Sequence, residues 1–174
     1  MKFEIEKYIR DIKDFPKKGI IFKDITPLLS DAYALIQTTK ELIKLIPDDV
    51  KIDKVVGIEA RGFFFGTLLA EHLNAGFVPI RKPGKLPYKT YEQSYDLEYG
   101  TDTLTMHIDA IKKGEKVLIH DDVLATGGTA KAVAKLVEQA GGEIVMFNFL
   151  IELCFLNGKE KLKNYQIERL IQIH

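Results

Sequence analysis

The chain has a single cysteine, Cys154, so no internal disulfide can staple it, and the apolar segment around the thiol fits a buried core residue. Neither sign of charge is in excess: lysine and arginine together number 25, and so do aspartate and glutamate. Without a global basic field, nucleic acid and anionic membrane are not expected partners, and any anion site must be local. No stretch approaches the roughly 20 apolar residues of a membrane span. The opening MKFEIEKYIRDIKDF mixes charged with apolar residues and lacks the uninterrupted apolar core of a secretory signal, so a cytoplasmic protein is expected. There is no internal repeat, no low-complexity tract and no histidine spacing that suggests a metal site.

What is present is ordinary for a globular protein: 174 residues, 46% hydrophobic and 29% charged. That length suits one domain, residues 1–174, with a core that needs no staple. Phe3, Ile5, Tyr8, Ile9 and Ile12 fall near helical spacing and predict a first helix ending before Phe15-Pro16. Ser30 or Asp31 is placed to cap a second helix that runs through Ile46. Beyond it the pattern alternates. Strands are predicted over Lys54–Glu59, Phe77–Arg81, Val117–Asp121, Ile144–Leu153 and Gln166–Ile173, with helices over Gly62–Leu73 and Gly128–Ala140. Strands alternating with helices indicate an α/β fold, a mainly parallel twisted sheet flanked by helices, with ligands at the carboxyl ends of the strands. The segment from Lys82 to Asp109 breaks the alternation, with two prolines, two glycines and four tyrosines. So long a connection reads as a lid, or else as a surface β-hairpin.

Three strand ends carry the chemistry. In VLIHDDVLATGGTAKA, Asp121 and Asp122 close a hydrophobic run, and Gly127-Gly128 between threonines leads into a helix. Buried paired charges are costly, so the carboxylates are expected in a cleft, while the helix N-terminus offers its N–H groups to an anion. Acidic acceptors beside a phosphate cradle suit a phosphorylated sugar. GIEARG has the first half of a P-loop, but Phe63-Phe64 stand where Lys-Ser/Thr should be, which argues against a nucleoside triphosphatase. Arg61 and Lys82, each following a strand, are candidate cations for a second phosphate; the alternative for Arg61 is an ion pair with a neighbouring carboxylate.

HDDVLATGGTAKA resembles the phosphoribosyl pyrophosphate motif of the type I phosphoribosyltransferases, and FKDITPLL, EARGF, IRKPGKLP and YDLEYGTD resemble that family's adenine branch. The resemblance implies a type I phosphoribosyltransferase fold with a flexible lid at about 82–109 and a small hood from about 1–30 and the C-terminal part. It implies that Ala125, Thr126, Gly127, Gly128 and Thr129 take the donor's 5-phosphate and that Asp121 and Asp122 hold its ribose hydroxyls. Arg61, Lys82 and Tyr99 would meet pyrophosphate; Ile21, Phe22, Lys23 and Leu153 would hold adenine; Glu98 would act as acid/base on the purine. It further implies a non-proline cis peptide at Glu59-Ala60, Mg²⁺ carried by phosphoribosyl pyrophosphate and water with no dedicated protein ligand, AMP as product in purine salvage, and a homodimer. Two residues depart from the family pattern: His120, usually aliphatic, and Lys23, often arginine. The same donor motif would serve a transferase for xanthine or orotate, or a regulator that only senses the sugar diphosphate or a purine.

Overall fold

The computed structural model describes residues 3–96 and 100–174, in two compact units, 1–44 and 45–174. In the first, a single 3-10 turn, Ile5–Tyr8, precedes strand β1 (Arg10–Lys13), which pairs antiparallel with β2 (Ile21–Asp24). The long first helix predicted from apolar spacing is therefore one turn followed by a strand. The reason is non-local: Asp11 lies opposite Lys23 and Ile12 opposite Phe22, and the ion pairs Arg10–Asp24 (2.6 Å) and Lys23–Asp11 (2.7 Å) tie the ribbon together. The short helix α1 (Thr26–Ser30) leads to α2 (Ala32–Lys44). Asp31 is the cap, its Oδ1 accepting the Ala34 N–H at 2.8 Å.

The second unit holds the predicted α/β pattern. Its parallel sheet has the order β4 (Gly76–Ile80), β3 (Lys54–Ile58), β7 (Lys116–Leu124), β8 (Glu143–Leu153), β9 (Ile167–Ile173). Apolar residues follow one another without alternation in β3 and β8, because both faces are covered. On one face Val56, Ile58 and Ile119 join Ala130, Val133 and Val137 of α4 (Gly128–Gln139) in one core cluster. On the other lies α3 (Gly62–His72), whose Phe65 ring meets His120 edge-on at 6.3 Å.

The segment from Lys82 to Asp109 contains an antiparallel pair, β5 (Thr90–Asp96) and β6 (Thr101–His107), and Leu104 and Met106 of β6 are buried in the α4-side core. Arg81 and Thr105 exchange backbone hydrogen bonds of 3.0 and 2.7 Å, which fasten the pair to the end of β4. Among the described residues no helix is long and apolar enough to cross a membrane.

Candidate active site

Strand β7 runs three residues past the predicted end at Asp121, so the aspartates sit within the strand rather than after it. Successive strand residues point to opposite faces. Asp121 lines a cavity of about 60 Å³ together with Ala125, Thr126, Gly127 and Thr129. Asp122 is 2% exposed, and Arg61 Nε lies 3.0 Å from its Oδ2. That oxygen receives no directed hydrogen bond, so the contact is coulombic. The carboxylates were expected open to a cleft; Asp122 is instead buried against the arginine that precedes α3. Burial and then the neighbouring Asp122 charge push Asp121 well above the usual carboxylate range. Burial also raises Asp122, against the pull of Arg61.

Beneath the pair, His120 is fully buried, with Nδ1 2.9 Å from Asn148 Oδ1 and no partner for Nε2. Burial holds its imidazole down at about 4, so it is neutral. The close approach of α3 to this strand depends on Gly62, since a Cβ there would lie 2.9 Å from both Asp121 Oδ1 and the His120 carbonyl.

The loop after β7 turns through Gly127, at φ 75°, into α4, whose start has no side-chain cap. The first N–H groups of that helix are thus left for a ligand. A second glycine shapes the loop. Gly158, in the 3-10 turn Gly158–Leu162, stands so close that a Cβ on it would come 2.1 Å from the Ala125 carbonyl oxygen, and one on Gly127 would come 2.2 Å from the Gly158 oxygen.

Glu59 gathers the other strand-end loop. Its carboxylate accepts the Lys82 N–H at 2.8 Å and Lys85 Nζ at 2.5 Å, with Arg81 at 3.4 Å. Burial acts to raise the Glu59 carboxyl, but these donors outweigh it and hold it at about 2. The Glu59-Ala60 peptide is cis, as the resemblance implies. Lys82 Nζ is paired with Asp102 at 3.0 Å, and the Tyr95 hydroxyl donates to the same carboxylate at 3.4 Å. Among the described residues, no group of three or more histidine, cysteine, aspartate or glutamate side chains is arranged to hold a metal ion.

The Phosphoribosyl transferase domain model matches residues 29–171. The adenine phosphoribosyltransferase of Christiangramia forsetii is 63% identical over 97% of this chain and 98% of its own length. The chain belongs to the adenine phosphoribosyltransferase family. The crystal structure of adenine phosphoribosyltransferase from Rhodothermus marinus superposes with a TM-score of 0.92 at 54% identity, covering 97% of this chain and 96% of that one. That of the Saccharomyces cerevisiae enzyme, complexed with an imino-altritol bisphosphate and adenine, gives 0.88 at 40% identity over 95% of each chain.

Within this family member the structure brings Asp121, Ala125, Thr126, Gly127 and Thr129 around one cavity, with Gly128 opening α4 beside it, and joins Arg61 to Asp122. Ile21, Phe22 and Lys23 lie on β2 in the first unit and Leu153 ends β8 in the second. Glu98 and Tyr99 lie outside the described residues. Sequence reasoning missed the structural parts played by Glu59 and Gly158. A lone carboxylate at one strand end and the basic run RKPGK at the next was a signal for the first. Nothing in the sequence marks Gly158, whose role exists only through its contact with residues 125–127.

Proposed function

We propose that this chain transfers the 5-phosphoribosyl group of phosphoribosyl pyrophosphate to adenine, releasing pyrophosphate and giving AMP in purine salvage. The single observation that carries this is near full-length identity to adenine phosphoribosyltransferases in a chain that keeps an uncapped helix N-terminus beside Asp121. The 5-phosphate sits against the N–H groups from Ala125 to Thr129, and the ribose hydroxyls meet Asp121 and Asp122. The roles of binding adenine fall to Ile21, Phe22, Lys23 and Leu153, and the hood is assigned to about 1–30 and the C-terminal part.

In the reaction, a ring nitrogen of adenine attacks the anomeric carbon as the bond to pyrophosphate breaks, with inversion. Arg61 and Lys82 stabilise the charge that grows on pyrophosphate, and Tyr99 closes over it. Glu98 acts as acid/base on the purine. The segment at about 82–109 excludes water while the anomeric carbon is electron-poor. A Mg²⁺ carried by the donor's oxygens and water would, when bound, neutralise diphosphate charge. The protein is taken to be a cytoplasmic homodimer, for which the exposed rings of Phe64 and Tyr88 offer apolar surface.

The test is pyrophosphate release with donor, Mg²⁺ and each of adenine, hypoxanthine, guanine, xanthine and orotate in parallel. Release with adenine alone is expected. Release with another base would overturn the adenine pocket, and none with any base would point to a regulator.

A further inference from the structure

A second cavity, of about 270 Å³, lies on β5 and α4 beside the phosphate loop, and its wall includes Ser94, Asp96, Gly128, Lys131, Lys135 and Lys161. It shares none of its lining with the 60 Å³ cavity of Asp121 and Thr126; Gly128, at the start of α4, stands between them in sequence.

Its electrostatics are lopsided. Lys131 and Lys135 are four residues apart on α4 and so share a helix face, and Lys161 reaches in from the 3-10 turn. Among the described residues none of the three makes an ion pair. The cations at the candidate active site behave differently, since Arg61, Arg81, Lys82 and Lys85 each have a carboxylate. Moreover, Lys161 Nζ lies 4.0 Å from where a Gly128 Cβ would stand, which puts an ammonium at the positive end of the α4 dipole. Cations are disfavoured there and anions favoured. Three like charges and a helix N-terminus around one cavity, with Asp96 the one carboxylate among the described residues of its wall, leave an excess of positive charge that a bound polyanion offsets. At roughly 30 Å³ per water in the liquid, the space exceeds the needs of a single phosphate.

We propose that this cavity is a second anion site, adjoining the donor cradle at Gly128 and otherwise lined by different residues, that binds an oligophosphate chain, either free or as part of a nucleotide. Lys131, Lys135 and Lys161 carry the affinity, and Ser94 supplies a neutral hydroxyl donor. The ligand bridges β5 to the first turns of α4, and β5 leads in sequence, two residues after Asp96, to Glu98. The site does not depend on which base the enzyme uses.

Calorimetric titration of inorganic tripolyphosphate into the intact protein, with saturating ribose 5-phosphate in the donor cradle, tests this against the triple variant K131Q/K135Q/K161Q. All three side chains are exposed, so the variant keeps its fold. The native chain is expected to bind one more equivalent than the variant, or to bind that equivalent about tenfold or more tightly, the loss of a single charge-assisted contact. Turnover of the variant with donor and adenine, in the absence of tripolyphosphate, is expected to be unchanged. Identical stoichiometry and affinity in the two proteins would overturn the proposal, whatever the base assay reports. Repeating the titration with ATP distinguishes the sources: tighter binding than tripolyphosphate assigns a nucleotide, equal or weaker binding a free oligophosphate.

Discussion

Replacing Gly158 by alanine tests whether the phosphate loop is shaped by the turn behind it. The added Cβ would stand 2.1 Å from the Ala125 carbonyl oxygen and 2.9 Å from the Gly127 nitrogen, both backbone atoms. Ordinary contact between carbon and a heavy atom is about 3.5 Å, so loop and turn must part by about 1 Å or more. Overpacking of that kind costs ~1–3 kcal/mol of stability. The functional cost is of the same order, about 2.7 kcal/mol, because a shift of about 1 Å in a substrate-positioning element lowers rates by about a hundredfold. Gly128→Ala is the stability control, since its Cβ would meet nothing closer than 3.4 Å. Initial rates of pyrophosphate release against donor concentration, with thermal unfolding of both variants, give the answer. A folded Gly158→Ala protein with native KM and kcat would refute the idea that this contact holds the loop.

Asp121→Asn should weaken donor binding yet leave the protein as stable or more stable at neutral pH. The folded carboxyl is raised, so the native state binds protons more readily than the unfolded chain and its stability improves on acidification; the amide removes that penalty. A fall in Tm would contradict this. His120, held at about 4, should give an imidazole NMR titration silent through neutrality. The unfolded chain protonates first, so stability declines as pH drops from about 6.5 toward 4, by about 3 kcal/mol in all. A native imidazole titrating near 6.5 would sink the assignment. Glu98→Ala should lower turnover with little change in donor binding, and unchanged turnover would remove its proposed role.

The parallel sheet was legible because strands covered on both faces read as continuous apolar runs, as in VMFNFLI of β8, and the helices between them open at glycines, Gly62 and Gly128. The ribbon of β1 and β2 was not legible. Ile5, Tyr8, Ile9 and Ile12 fit a helix as well as anything local can, and the pairing that decides otherwise joins residues 10–13 to residues 21–24. The phosphate loop announced itself, since Gly127 and Gly128 precede a clear amphipathic run. The burial of Asp122 did not, because its counter-ion lies 61 positions earlier in the chain and only the β3–β7 pairing brings the two together.

The ion pairs of Arg61 with Asp122 and of Lys82 with Asp102 carry a consequence for product departure. If these two cations grip pyrophosphate, then Asp122 and Asp102 are built-in competitors for the same positive charge. An arriving diphosphate displaces them, and each gives back part of its binding energy as the displaced carboxylate is left behind. The same carboxylates then recapture the cations when pyrophosphate detaches. Such internal rivals cap the affinity for a strongly charged product, so that the site empties between turnovers instead of being held by its own leaving group.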